Sequence, residues 1–135
     1  MEPRVGISVS QGKSAGPGIP ATSIAADDYS RLVTSWTARL PGRAAFPRKL
    51  KARLAALHFV REGFEPGRAY SEREANTTIR HFNLFEIDHV QIRRHLVDYG
   101  LLRHNSDGTG YELDRGYLDL ARWAPDIPGI GAQEG

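Results

Sequence analysis

The first apolar stripe is formed by Tyr29, Leu32, Val33, Trp36 and Leu40, which fall at i, i+3, i+4, i+7 and i+11, the spacing of one helix face. Asp27 and Asp28 ahead of it suit a helix N-terminus, and Pro41-Gly42 stops the helix. A second stripe, Leu50, Leu54, Leu57 and Val60, follows Phe46-Pro47 and ends at Gly63. After the turn Glu65-Pro66-Gly67, the tripeptide Arg68-Ala69-Tyr70 predicts a short strand. Ser71 and Glu74 then have the S-x-x-E spacing of a capping box, opening a third helix whose inner face is Ala75, Thr78, Ile79 and Phe82. A fourth helix buries Ile92, Leu96 and Tyr99, with His89 and Phe85 beside them, and ends at Gly100 in a left-handed cap. Its start is open between Asn83/Glu86 and Asp88/Gln91, which share the same spacing. Leu101–His104 and Tyr111–Leu113 read as two strands around the turn Ser106-Asp107-Gly108-Thr109-Gly110. Tyr117, Leu118, Leu120 and Trp123 form a last short apolar element that folds back on the body.

From Pro47 onward the order helix, strand, helix, helix, hairpin is that of a winged helix-turn-helix. The expected fold is therefore α+β, mainly helical: a winged helix-turn-helix-like domain with an extra N-terminal amphipathic helix. That helix is expected to pack on its own domain. Residues 1–26 and 124–135 are rich in Gly, Pro and small polar residues, which bury too little to offset their ordering entropy. They are expected to be a flexible arm and a flexible tail around a domain at residues 27–123.

Composition narrows the chemistry. The 135-residue chain has no cysteine, which excludes disulfide scaffolds, Cys-ligated zinc and thiol nucleophiles. No apolar run approaches the ~20 residues of a spanning helix, and no basic-then-apolar signal pattern opens the chain, so no membrane role and a cytoplasmic location are expected. Gly6 to Ser14 nearly spells a phosphate-binding loop, but it has one residue too many between the glycines and reads as chance. His81, His89 and His95 lack metal-ligand spacing, His58 and His89 read as partly buried neutral rings, and Ser71 is occupied as a cap. No enzyme activity, cofactor or metal is expected.

Three blocks carry a resemblance: FPRKLKARL (Phe46 to Leu54), EPGRAYSEREAN (Glu65 to Asn76) and IRRHLVDYGLLRHNSDGTGY (Ile92 to Tyr111). Together they resemble a prokaryotic family, domain of unknown function two thousand eighty-seven, over about Phe46 to Leu113. Ile92 stands where that family has leucine, and Asn83 to Ile87 are less typical of it. Members often follow a helix-turn-helix of the arsenical-resistance repressor type. The resemblance thus implies a winged-helix-like fold and an association with transcription, and it supplies no catalytic residue.

Charge gives the candidate contacts. Lys and Arg number 18 against 16 Asp and Glu, a net +2, which neither demands nor forbids nucleic acid. Arg39, Arg43, Arg48, Lys49, Lys51 and Arg53 form a run of cations with no acid among them, suited to phosphates, to an acidic partner or simply to solvent. The outward face of the fourth helix centres on Arg94, with Gln91, Asp98, Val90, Val97 and Ile87 around it. Arg94 suits guanine and Gln91 adenine, yet Glu86, Asp88 and Asp98 nearly cancel Arg93 and Arg94, and Arg94 has Asp98 at ion-pair spacing. The candidate contact residues are Arg48, Lys49, Lys51, Arg53, Gln91, Arg93, Arg94 and Arg103. Two functions follow. One is a transcription-associated protein that binds DNA weakly, or only as a homodimer or with a partner. The other is a module that docks on a protein of the transcription machinery, or of another assembly, without reading DNA. One continuous cationic surface flanking the hairpin favours the first, and cations interrupted by acids favour the second.

Overall fold

Along residues 20–131, the part of the chain that the computed structural model describes, four α-helices are interleaved with short strands. In order they are β1 (Ser23–Ile24), α1 (Ala26–Thr37), α2 (Leu50–Arg61), β2 (Tyr70–Ser71), α3 (Glu72–Phe82) and α4 (His89–Asp98). The chain continues with β3 (Leu102–His104), β4 (Gly110–Leu113), a 3-10 turn (Gly116–Leu120) and β5 (Arg122–Trp123). The fold is α+β, with a three-stranded antiparallel sheet in the order β2–β4–β3 and a short parallel pair, β1 with β5. No helix among the described residues is long and apolar enough to cross a membrane.

Local chemistry sets the helix boundaries. At α3, Ser71 Oγ accepts from the Glu74 N–H at 3.0 Å, and the Glu74 carboxylate accepts from the Ser71 N–H at 2.9 Å. That is the reciprocal box that S-x-x-E encodes. Asp88 caps α4 by accepting from the Gln91 N–H at 2.9 Å, which settles the open start. Asn83 instead orders the loop before α4, accepting from Phe85 N–H and donating to the Ile87 carbonyl, both at 2.8 Å. Gly100, at φ 85, ends α4 and lets the next turn approach. A Cβ there would lie 3.0 Å from the Tyr117 nitrogen, whose N–H donates to the Gly100 carbonyl.

The core joins Leu54, Leu57 and Val60 of α2 to Ala75 and Ile79 of α3 and to Ile92 and Leu96 of α4. Phe82 is half-buried against this centre. The predicted hairpin forms, with Leu102 opposite Leu113 and His104 opposite Tyr111. α1 packs on its own domain: Trp36 meets Phe85 edge-on at 5.0 Å, and Tyr29 meets His58 at 5.6 Å.

Several expectations need correction. Leu50 is 39% exposed, because it is the first residue of α2 and precedes the stretch that the other helices cover. α1 stops at Thr37, so Leu40 falls outside the helix and is exposed. The second strand begins only at Tyr70. The flexible arm does not extend through residues 20–26, since Ile24 is buried and β1 pairs with β5. The flexible tail fails for residues 124–131. Ile127 and Ile130 are buried, and the Pro128 carbonyl holds His58 at 2.7 Å. Two isoleucines anchor a segment whose Pro and Gly content alone suggests a free coil. The rest of the expected arm and tail, residues 1–19 with the Gly6–Ser14 motif and residues 132–135, lies outside the described residues.

Candidate functional site

Burial of Ile92 and Leu96 turns the opposite side of α4 to solvent, where Gln91, Arg94 and Asp98 are exposed and Val90 is at 36% exposure. One flank is packed on the segment leading to α2, where Phe46 stacks on His95 at 5.0 Å. Burial, then the nearby Arg53 charge, pulls the His95 ring below its ordinary pKa. The other flank faces the β-sheet: Arg93 donates to Asn76 Oδ1 and lies 5.8 Å over the Tyr111 ring. A groove of about 190 Å³ runs between α4 and the β3–β4 hairpin, lined by Val90, Arg94, Val97, Asp98, His104 and Tyr111.

Half of the candidate residues are tied within the domain. Lys51 pairs with Asp28 of α1 at 2.8 Å. That ammonium, with the Ala25 N–H and Arg31, holds the Asp28 carboxyl well below the usual carboxylate range. Arg53 donates to the Pro47 carbonyl and to the Tyr99 hydroxyl and covers the Phe46 ring at 5.0 Å, so its work is to pin α2 to α4. Arg103 is shared between Glu112 at 3.2 Å and Asp114 at 3.1 Å. Arg93 is held by Asn76 as described. Arg48, Lys49, Gln91 and Arg94 remain exposed, and Arg94 forms no ion pair with Asp98 or any other described residue.

The ion pairs themselves are weak, about 0–1 kcal/mol each at a surface, so a phosphate could displace them. The acids, however, stay in place. An oxyanion approaching Arg103 meets two carboxylates for one guanidinium, and on α4 Asp88 and Asp98 flank Arg94. The cations therefore do not merge into one positive surface.

A second cluster lies on the far side of α2, where the sequence predicted only a partly buried neutral ring at His58. His58 is fully buried, and burial pushes its ring down to about 4. Burial also pushes the Tyr117 hydroxyl up to about 12, while the neighbouring Arg61 charge pulls it back. The only signal in the sequence was that His58 and Arg61 stand one turn apart within an apolar helix. Among the described residues, no group of three His, Cys, Asp or Glu side chains could hold a metal ion.

The architecture is a small α+β domain in which an exposed helix face, α4, lies beside the β3–β4 hairpin. Residues 44–113 match the family described as an uncharacterized protein conserved in bacteria (DUF2087), and the chain belongs to that family. The matched stretch begins at Ala44, whose backbone bridges to Phe85, and ends with β4. No curated protein and no solved structure matches the chain.

Proposed function

We propose that this domain is a winged-helix-like module associated with transcription, and that it docks on a protein through the exposed face of α4. The shape is supported by the order α2, β2, α3, α4, β3, β4 and by the sheet order β2–β4–β3, which leaves α4 beside the hairpin as a groove-reading helix would be. The association with transcription rests on the family resemblance alone, a warrant by analogy. Interruption of the cations carries the choice of partner: Asp28 answers Lys51, Glu112 and Asp114 answer Arg103, and Asp98 adjoins Arg94. Val90 and Val97 beside Arg94 suit a protein surface better than a phosphate backbone.

Weak DNA binding is the second reading. It is favoured by Arg94, which forms no ion pair among the described residues and stands at the centre of the face with Gln91 beside it. Titration of a labelled duplex at low ionic strength separates the two. Docking predicts no saturable binding, and it predicts that Arg94→Glu or Val90→Asp removes a protein that the parent chain retains in cell extract. Saturable duplex binding that falls steeply with salt, and weakens across all sequences in Lys49→Glu, would overturn it.

A further inference from the structure

The stripe that packs α1 on the domain is not evenly covered. Tyr29 and Trp36 are buried, but Leu32, one turn from each on the same face, is only half-buried. The reason is the residue that α2 sets beside it. Ala52 carries a single methyl group, too small to cover a leucine, and the first buried residue of α2, Leu54, lies further along the helix. An open groove of about 330 Å³ is left between the two helices, lined by Asp28, Arg31, Leu32, Lys49, Lys51 and Ala52. Its floor is apolar, and the long stems of the cations extend that lining.

The rim of the groove is positive. Asp28 is its one carboxylate. It is shared between Lys51 at 2.8 Å and Arg31 at 3.0 Å, and it also accepts from the Ala25 N–H at 3.0 Å. Lys49 is exposed and forms no ion pair among the described residues. Three cations against one acid leave a surplus of positive charge around an apolar floor. The balance at the hairpin is the reverse, since Arg103 there is shared by Glu112 and Asp114.

We propose that this groove receives an acidic amphipathic helix of a partner protein, with apolar side chains against Leu32 and Ala52 and carboxylates at Lys49 and Arg31. A groove between two helices accepts a third along its length, apolar face inward. A nucleic-acid backbone brings the negative charge but no apolar face for Leu32. A free organic acid brings one carboxylate for the two unmatched cations, and in so open a groove its body stays largely in water. This surface is on α1 and α2, so the reading does not depend on how α4 is used.

The test is a titration of a labelled, end-capped peptide with the full chain at physiological ionic strength, read by fluorescence anisotropy. The peptide carries leucines at i, i+4 and i+7 with glutamates on either side of them. Binding saturates, and it is lost when glutamine replaces every glutamate or alanine every leucine. Lys49→Glu and Arg31→Glu, both at exposed positions, each weaken it about fivefold, whereas Arg94→Glu leaves it unchanged. In NMR the backbone amide resonances of Leu32 and Ala52 move with the same saturation while those of Val90 and Arg94 stay in place. Absence of saturable binding, or equal binding of the glutamine or alanine peptides, overturns the proposal. So does saturation of the Leu32 and Ala52 resonances by decanoate or a DNA duplex with none by the peptide, which assigns the groove to a free acid or to nucleic acid.

Discussion

Mild acid tests the buried His58 directly. Its folded-state value of about 4 lies below the ordinary 6.5, so the unfolded chain takes up a proton that the folded chain refuses. A depressed histidine contributes stability that is fully present above pH 6.5 and is lost as the pH falls toward 4. The whole gap amounts to about 3.5 kcal/mol at ~1.4 kcal/mol per unit, of which about 2 kcal/mol is lost between pH 7 and pH 5. Other groups titrate nearby. Burial raises Glu62, which acts in the opposite sense because the folded state takes its proton first, and the lowered His95 acts in the same sense as His58. Asp28 and Asp107 are lowered from 3.8, so they matter only at lower pH. Burial raises the Tyr29 and Tyr117 hydroxyls, so neither titrates in this range. Comparison with His58→Gln subtracts every group but His58. Urea unfolding at the two pH values should show the parent chain losing about 2 kcal/mol more than the variant. Equal losses would mean that His58 is not held neutral in the core.

Two further predictions concern the frame that positions α4. Ser71→Ala removes the acceptor for the Glu74 N–H and should cost about 1 kcal/mol in chemical unfolding, and a loss below ~0.3 kcal/mol would show the cap to be dispensable. Gly110→Ala places a Cβ 2.2 Å from the Tyr70 carbonyl oxygen, so β2 must part from β4 at a cost of about 2 kcal/mol or more. Amide exchange should then quicken at Ser71 and Tyr111 before it does in the α2–α4 core, and unchanged protection there would refute the close contact.

What was legible in the sequence was local. The S-x-x-E box, the glycine after α4 and the apolar stripes each act within a few residues, so their spacing carries the information. The charged residues were less legible because their partners are distant. Lys51 finds Asp28 across two helices, Arg53 finds Tyr99 46 residues away, and Arg103 finds its acids across the hairpin. A run without acids in sequence is thus partly neutralised in space. The 124–131 segment failed for a related reason: two isoleucines can hold a short strap, and an average over its prolines and glycines hides them.

The central helix explains why the chain needs more than its family segment. Leu54, Ala55, Ala56, Leu57 and His58 are five consecutive residues with no exposed surface, so α2 is buried all round rather than along one stripe. Leu54 and Leu57 face α3 and α4 within residues 44–113. His58 and Arg61 turn the other way, toward Tyr29, Tyr117, Trp123 and the Pro128-Gly129 turn, every one of them outside that stretch. A fragment confined to residues 44–113 would leave this second side of α2 in water. Its apolar part would then seek cover, and its histidine and arginine would recover solvent. The additions at both ends are for this reason part of the folding unit, and they create the polar cluster. The open α4 face, in contrast, lies wholly within the family segment. The α4 face is thus set by the family segment alone, whereas the cluster of His58 and Arg61 needs α1 and the terminal strap as well.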